Sequence, residues 1–136
     1  MQSKIVVCAI ITKKDKYLLG QRPKNIGPYP NTWHLLGGGV NLGEETLIEA
    51  LEREVYEESG LKIKNIIPLG FIEDREANKH GEITQYIFLR FMAKYKSGEI
   101  KANDDIYELK WFTKDELKKL LLPRPSISLF KELNLI

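Results

Sequence analysis

Glu54, Glu57 and Glu58 stand three and four residues apart inside the run 46–59. If that run is helical, successive residues are rotated by about 100°, and these three side chains share one face. Carboxylates so placed repel one another, at a cost of a few tenths of a kcal/mol per pair even on an exposed helix. A hard cation with oxygen ligands reverses that sign. The stretch therefore reads as a platform for a divalent metal. Just upstream lie Gly37, Gly38 and Gly39. Glycines accept φ > 0 and let a ligand approach the backbone, so such a loop can turn main-chain groups towards a metal or phosphates.

The elements that must hold these groups follow from the same stretch. Leu47, Ile48, Leu51 and Val55 fall on one apolar stripe beside the acidic cluster, and Ala50 leaves room on the same sector. Gly60 ends the helix after Ser59. Glu49 and Glu52 face elsewhere and read as solvated. Arg22 leaves a strand near the glycines. It is either a solvated charge, like Lys24, or a guanidinium that takes two phosphate oxygens.

The pattern Gly39-x5-Glu45-x7-Arg53-Glu54-Val55-x-Glu57-Glu58-x-Gly60-Leu61 resembles the box of the Nudix hydrolases, the MutT-like family, with every fixed position filled. That many residues at fixed spacing is a specific signal. The resemblance implies Mg2+ or Mn2+ as cofactor, with Glu57 and Glu58 as main ligands and Glu54 as ligand or general base. A glycine carbonyl, from Gly37 or Gly38 with Gly38 favoured, would join the metal shell, and Gly37 and Gly39 would face the substrate. Arg53 would pair with the box glutamate and hold the loop against the helix, a supporting task. Gly43-Glu44 is the pair that usually precedes the helix, so either Glu45 takes the box position or Glu44 does with a one-residue bulge. Relatives often carry an acid six positions before a tryptophan; Asp105 matches, ahead of Trp111, as extra metal ligand or base, with Glu108 as alternate and a plain loop acid as the other reading. Leu36 replaces a frequent proline and Asn41 a frequent glutamate, and neither change removes a catalytic group.

The chain has 136 residues, 43% apolar and 29% charged, with a net charge of +2. One domain spanning 1–136 is the natural expectation. The charge is too small and too scattered to indicate a nucleic-acid partner. One cysteine, Cys8, excludes an internal disulfide and fits a reducing compartment; in an apolar run it reads as a buried hydrophobe. His34 has no second histidine or cysteine at metal-ligand spacing and reads as structural or exposed, and His80 reads as a surface histidine rather than a base. Residues 5–11 are too short for a membrane span or a signal peptide, so the cytoplasm is expected and no membrane partner.

Residues 4–12 read as a buried strand, 13–16 as a turn and 17–21 as its hairpin partner. A Pro/Gly-rich loop covers 23–30, and Trp33 packs at the approach to the glycine loop. Strands are expected at 61–71 and 83–95, with a turn or mobile loop at 73–81 and a turn at 96–99. Thr113 caps a helix over 114–122 with Glu116 in its capping box, and Ser126 caps a last one to residue 133. This order gives an α/β fold with a mixed sheet between helices, which the resemblance sharpens to the Nudix α/β/α sandwich.

Resemblance also implies the activity. The run from Ile5-Val6-Val7-Cys8 through Tyr29-Pro30 and Asn103-Asp104-Asp105 is similar to the small bacterial nucleoside triphosphatases of the family, which release monophosphate and pyrophosphate, in some cases preferring pyrimidine deoxynucleotides. A nucleoside diphosphate sugar or other diphosphate-linked substrate is the alternative. Glu76 stands where ADP-ribose hydrolases often show proline, and Ala77 and Asn78 where dinucleoside polyphosphate hydrolases show tyrosine. A ligand-sensing, inert domain is a third reading, opposed by the intact glutamates. Homodimers are frequent among such relatives, and the sequence leaves that point open.

Overall fold

The computed structural model describes residues 1–103 and 106–136. Its centre is β1 (Gln2–Lys13). Alternate residues of a strand point to opposite faces. Val7, Ala9 and Ile11 join one core, with Leu51 and Val55, while Ile10 joins another, with Leu129 and Phe130. A strand buried on both faces needs a helical layer on each side, and that requirement produces the sandwich.

Lys14 and Asp15 both take positive φ, 48° and 63°, and fold β1 back onto β2 (Lys16–Gln21), as a tight two-residue hairpin turn requires. β3 (Trp33–His34) pairs with β2, and β4 (Leu36–Gly39) pairs antiparallel with β1. After α1 (Leu47–Ser59) come β5 (Lys62–Ala77), β6 (Ile83–Ser97) and β7 (Glu108–Thr113). Two helices close the chain, α2 (Lys114–Leu117) and α3 (Arg124–Glu132). Among the described residues the strands form one mixed sheet in the order β3-β2-β1-β6-β5, with β4 on β1 and β7 on β2. β1 and β6 are parallel, from Gln2 opposite Thr84 to Thr12 opposite Lys94. α1 packs on one face of the sheet and α3 on the other. No described helix is long and apolar enough to cross a membrane.

Several expectations are corrected. The glycines are not a loop: Gly37–Gly39 belong to β4, opposite Cys8, Val7 and Val6. Residues 73–77 are not a turn but the end of β5, paired to β6 as far as Ala77 opposite Ile83. The helix expected over 114–122 stops at Leu117, and the chain continues through i→i+3 bonds from Lys119 N to Glu116 O and Leu120 N to Leu117 O. Pro123, not Ser126, stands at the start of α3; Ser126 is inside the helix and buried. Leu47 and Ile48 are exposed, and the buried face of α1 begins at Ala50. The first turn is held instead by a capping box. Thr46 Oγ1 accepts from Glu49 N at 3.1 Å, and Glu49 Oε1 accepts from Thr46 N at 2.9 Å. Glu49, read as merely solvated, has this task.

Candidate active site

α1 carries the acidic cluster, and both its ends are fixed. Thr46 caps the start, and Gly60, at φ 77°, ends it in the left-handed conformation that glycine adopts without strain. Two of its last carbonyls are taken up by the segment before β7: Lys101 N donates to Ser59 O at 2.9 Å and Asn103 N to Glu58 O at 3.1 Å. That segment leads into Asp104 and Asp105. Asp105, the expected extra ligand or base, lies outside the described residues. Its alternate, Glu108, is on β7 opposite Gln21, 3.9 Å from Lys110 Nζ.

Arg53 joins the helix to the glycine strand. Its Nε donates to Glu45 Oε2 at 2.9 Å and its Nη2 to Glu45 Oε1 at 2.6 Å, while Nη2 also reaches Gly39 O at 3.1 Å. Glu45 Oε1 further accepts from Asn41 N at 2.9 Å. Hydrogen bonds from Arg53 hold the Glu45 carboxyl down to about 2. Glu45, not the exposed Glu44, is therefore the acid that Arg53 grips, and no bulge needs to be invoked. Nη1 of Arg53 extends to Glu54 Oε1 at 2.9 Å and to Glu57 Oε2 at 3.3 Å.

The three helix carboxylates sit in different surroundings. Glu58 is buried, and its Oε1 accepts from Gly37 N at 2.8 Å. Glu54 lies half-buried against Gly38. A Cβ on Gly38 would collide with the Glu54 carboxyl of α1, and one on Gly37 with the Val7 carbonyl of β1, so glycine at 38 lets the helix approach and glycine at 37 lets the neighbouring strand approach. Burial raises the Glu54 pKa, and the hydrogen bond from Arg53 opposes that shift. The Glu57 side chain is the most open, 45% exposed. Among the described residues no three His, Cys, Asp or Glu converge closely enough to hold a metal ion. The donor chemistry still suits one: carboxylates of Glu54, Glu57 and Glu58 and the Gly38 carbonyl are hard oxygens of the kind Mg2+ takes. A Cβ at Gly38 would take up the space into which the Glu54 carboxyl now points, so glycine leaves that oxygen-lined space open.

These groups stand at one side of a cavity of about 610 Å³. Period-2 alternation decides its floor: Lys4, Val6 and Cys8 from β1, with Tyr86, Phe88 and Arg90 from β6, while the opposite set faces α1. Burial pushes the Cys8 thiol up to about 12, against the pull of Arg90, so it stays protonated at neutral pH. Arg22 lines the side wall, where its Nε donates to His34 Nδ1 at 3.3 Å. His34 Nε2 lies 3.1 Å from Tyr29 O. A carbonyl only accepts, so the proton is on Nε2 and Nδ1 offers its lone pair to Arg22. Burial, then the charge of Arg22, lowers the His34 pKa to about 3. His34 thus orients Arg22 and ligates nothing. Tyr29 Oη donates to Asp74 Oδ2 at 2.6 Å, and Arg124 Nε donates to the same oxygen at 3.1 Å. This clasp fastens the 22–32 loop and the start of α3 to β5. Sequence reading missed Tyr29, Arg90 and Arg124, because their roles arise from contacts between distant segments.

Fold and site together define an α/β/α enzyme that presents carboxylates to a cavity from a helix clamped on a glycine strand. The NUDIX domain family matches residues 2–133, and the chain belongs to this family of hydrolases. It is 32% identical over 126 residues to nucleoside triphosphatase NudI of Enterobacter sp. (strain 638), covering 88% of this chain and 89% of that one. The MutT protein of Methanosarcina mazei Go1 superposes with a TM-score of 0.78 at 26% identity, covering 98% and 94% of the two chains. The ADP-ribose-bound NUDIX domain of Shewanella oneidensis NrtR shares the fold, with a TM-score of 0.77 at 17% identity, 98% of this chain and 88% of that one.

Proposed function

We propose that this protein is a divalent-metal-dependent pyrophosphohydrolase acting as a single unit, which cleaves a nucleoside triphosphate to the monophosphate and pyrophosphate, with pyrimidine deoxynucleotides as leading candidates. The observation that carries this reading is the bracing of Glu58 against Gly37 and of Glu54 against Gly38, with Glu57 held by Arg53, beside the cavity. The similarity to the NudI nucleoside triphosphatase supports the choice of substrate class.

When bound, Mg2+ or Mn2+ would neutralise phosphate charge and acidify a water for in-line attack on phosphorus. Glu57 and Glu58 would hold the ion with the Gly38 carbonyl. Glu54 would share it or accept the proton of the attacking water. Asp105 is the other candidate for that base. Arg53 would keep Glu54 and Glu57 oriented, and Arg22, aimed by His34, would bind a phosphate oxygen. Gly37 and Gly39 would leave the strand surface clear for the substrate.

The test is a panel of nucleoside triphosphates, nucleoside diphosphate sugars and dinucleotides with Mg2+, read by release of phosphate and pyrophosphate. Pyrophosphate from a triphosphate is the expected result. Turnover of diphosphate-linked compounds alone would replace this reading with the second one, and no turnover of any kind would favour a ligand sensor.

A further inference from the structure

Arg90 Nε and Nη1 are, among the described residues, the buried side-chain polar atoms without a hydrogen-bond partner. The residue is 6% exposed and lines the cavity floor. Its Nη2 alone is engaged, donating to Leu69 O at 3.1 Å and lying 3.4 Å from Glu132 Oε2. Leaving a buried donor unpaired costs more than pairing it returns, so native proteins rarely tolerate it without a reason. The protonated Cys8 beside it contributes no negative charge.

The neighbours of Arg90 indicate what would pair with it. Phe88 and Tyr86 precede it on the same face of β6, with rings 5.7 Å apart and 26° from parallel. Tyr29 stands 6.4 Å from Phe88. Aromatic faces suit a flat, uncharged ring. Gly37 is opposite Cys8, and Cys8 opposite Arg90, so Arg90 lies two strands from Gly37, whose N–H meets Glu58. Two strand spacings are roughly 10 Å, about the reach of a nucleotide from its phosphate to the edge of its base.

We propose that Arg90 reads the nucleobase, donating to an exocyclic oxygen on a base seated against Phe88 and Tyr86. A guanidinium has donors and no acceptor, so it favours an oxo group and rejects an amino group at the same position. The inference rests on the nucleotide reading of the same cavity.

The experiment compares ligands that differ at one exocyclic group. Calorimetry measures binding of uridine against cytidine monophosphate, and of inosine against adenosine monophosphate, to the wild-type protein and to Arg90→Met. Ribose 5-phosphate, which has no base, is the control. In at least one pair the oxo member binds the wild type roughly 10- to 100-fold more tightly, as expected of a hydrogen bond to a charged group, and the preference collapses in Arg90→Met. Binding of ribose 5-phosphate is unchanged. Where Arg90→Met does not fold, Arg90→Lys, which keeps the charge and loses the planar fork, narrows the ratio instead. Equal binding within both pairs, no binding of either, a preference that survives the substitution, or an equal loss for ribose 5-phosphate overturns the proposal. A protein that discriminates oxo from amino bases and hydrolyses no triphosphate would sink the triphosphatase reading and leave this one standing.

Discussion

Arg53 and Glu45 form a two-pronged ion pair, with contacts of 2.6 and 2.9 Å, across the junction between the pre-helix loop and α1. The same guanidinium touches the Gly39 carbonyl and the Glu54 and Glu57 carboxylates, so the pair sets where those carboxylates point. Glu45→Gln keeps the shape and removes the charge. It is expected to lower kcat by roughly 10- to 100-fold, as loss of a supporting partner does at metal sites, with a smaller change in KM. Steady-state kinetics alongside a thermal melt check this; wild-type kcat would show that the pair has no bearing on the chemistry.

Glu57 is the most open of the three helix carboxylates, and its removal costs the fold little. Glu57→Gln is expected to lower kcat by orders of magnitude while circular dichroism and the melting temperature stay near wild type. Chelation with EDTA is expected to abolish turnover, and added Mg2+ or Mn2+ to restore it. Near-wild-type turnover in the variant would remove Glu57 from the mechanism.

Two neighbouring glycines fail differently when a methyl group is added. In Gly37→Ala the new carbon meets the Val7 main-chain carbonyl, at a φ of 156° that disfavours a side chain. That backbone cannot yield cheaply, and a loss of roughly 1–3 kcal/mol or more is expected. In Gly38→Ala the clash is with the Glu54 carboxyl, which can swing away. The expected result there is a folded protein with impaired kcat. Denaturant unfolding and kinetics on both variants separate the two effects, and the reverse ranking would contradict this geometry.

His34 is buried neutral between Arg22 and Tyr29, which face it from the 22–32 segment. Its folded pKa of about 3 lies below the ordinary histidine value of 6.5, so the unfolded chain binds the proton more readily. Its contribution is therefore fully present above pH 6.5 and is lost as pH falls towards 3. At pH 5 that amounts to about 2 kcal/mol. Unfolding curves from pH 4 to 8 on wild type and His34→Gln test the sign: the wild type is expected to show the steeper loss towards acid. Parallel curves would mean that His34 titrates normally.

Much of this was readable in the chain because a few signals were local. Helix α1 follows from Thr46, the apolar face and Gly60, all within one stretch. β1 follows from its run of Ile and Val. The end of β5 was hidden because its charges look like those of a loop. In the fold they are a paired edge: Gln85 Nε2 donates to Glu73 Oε2 at 2.6 Å, and Arg124 bonds Asp74 and Glu76. Charged side chains are how an edge strand is protected, and such residues give no periodic apolar signal. Gly37–Gly39 carry no strand propensity of their own; β1 supplies the pairing. Arg90 looked like one more charge on a strand, and only the packing of β5 and α3 around it isolates two of its nitrogens.

The clasp of Tyr29, Asp74 and Arg124 has an evolutionary corollary. It secures the outer walls of the cavity by contacts that share no atom with the bond between α1 and the glycine strand. Walls and hydrolytic end are thus bolted on separately. Descendants of such a chain can exchange the 22–32 segment or the start of α3, and so their preferred nucleotide, while the acidic helix stays in register.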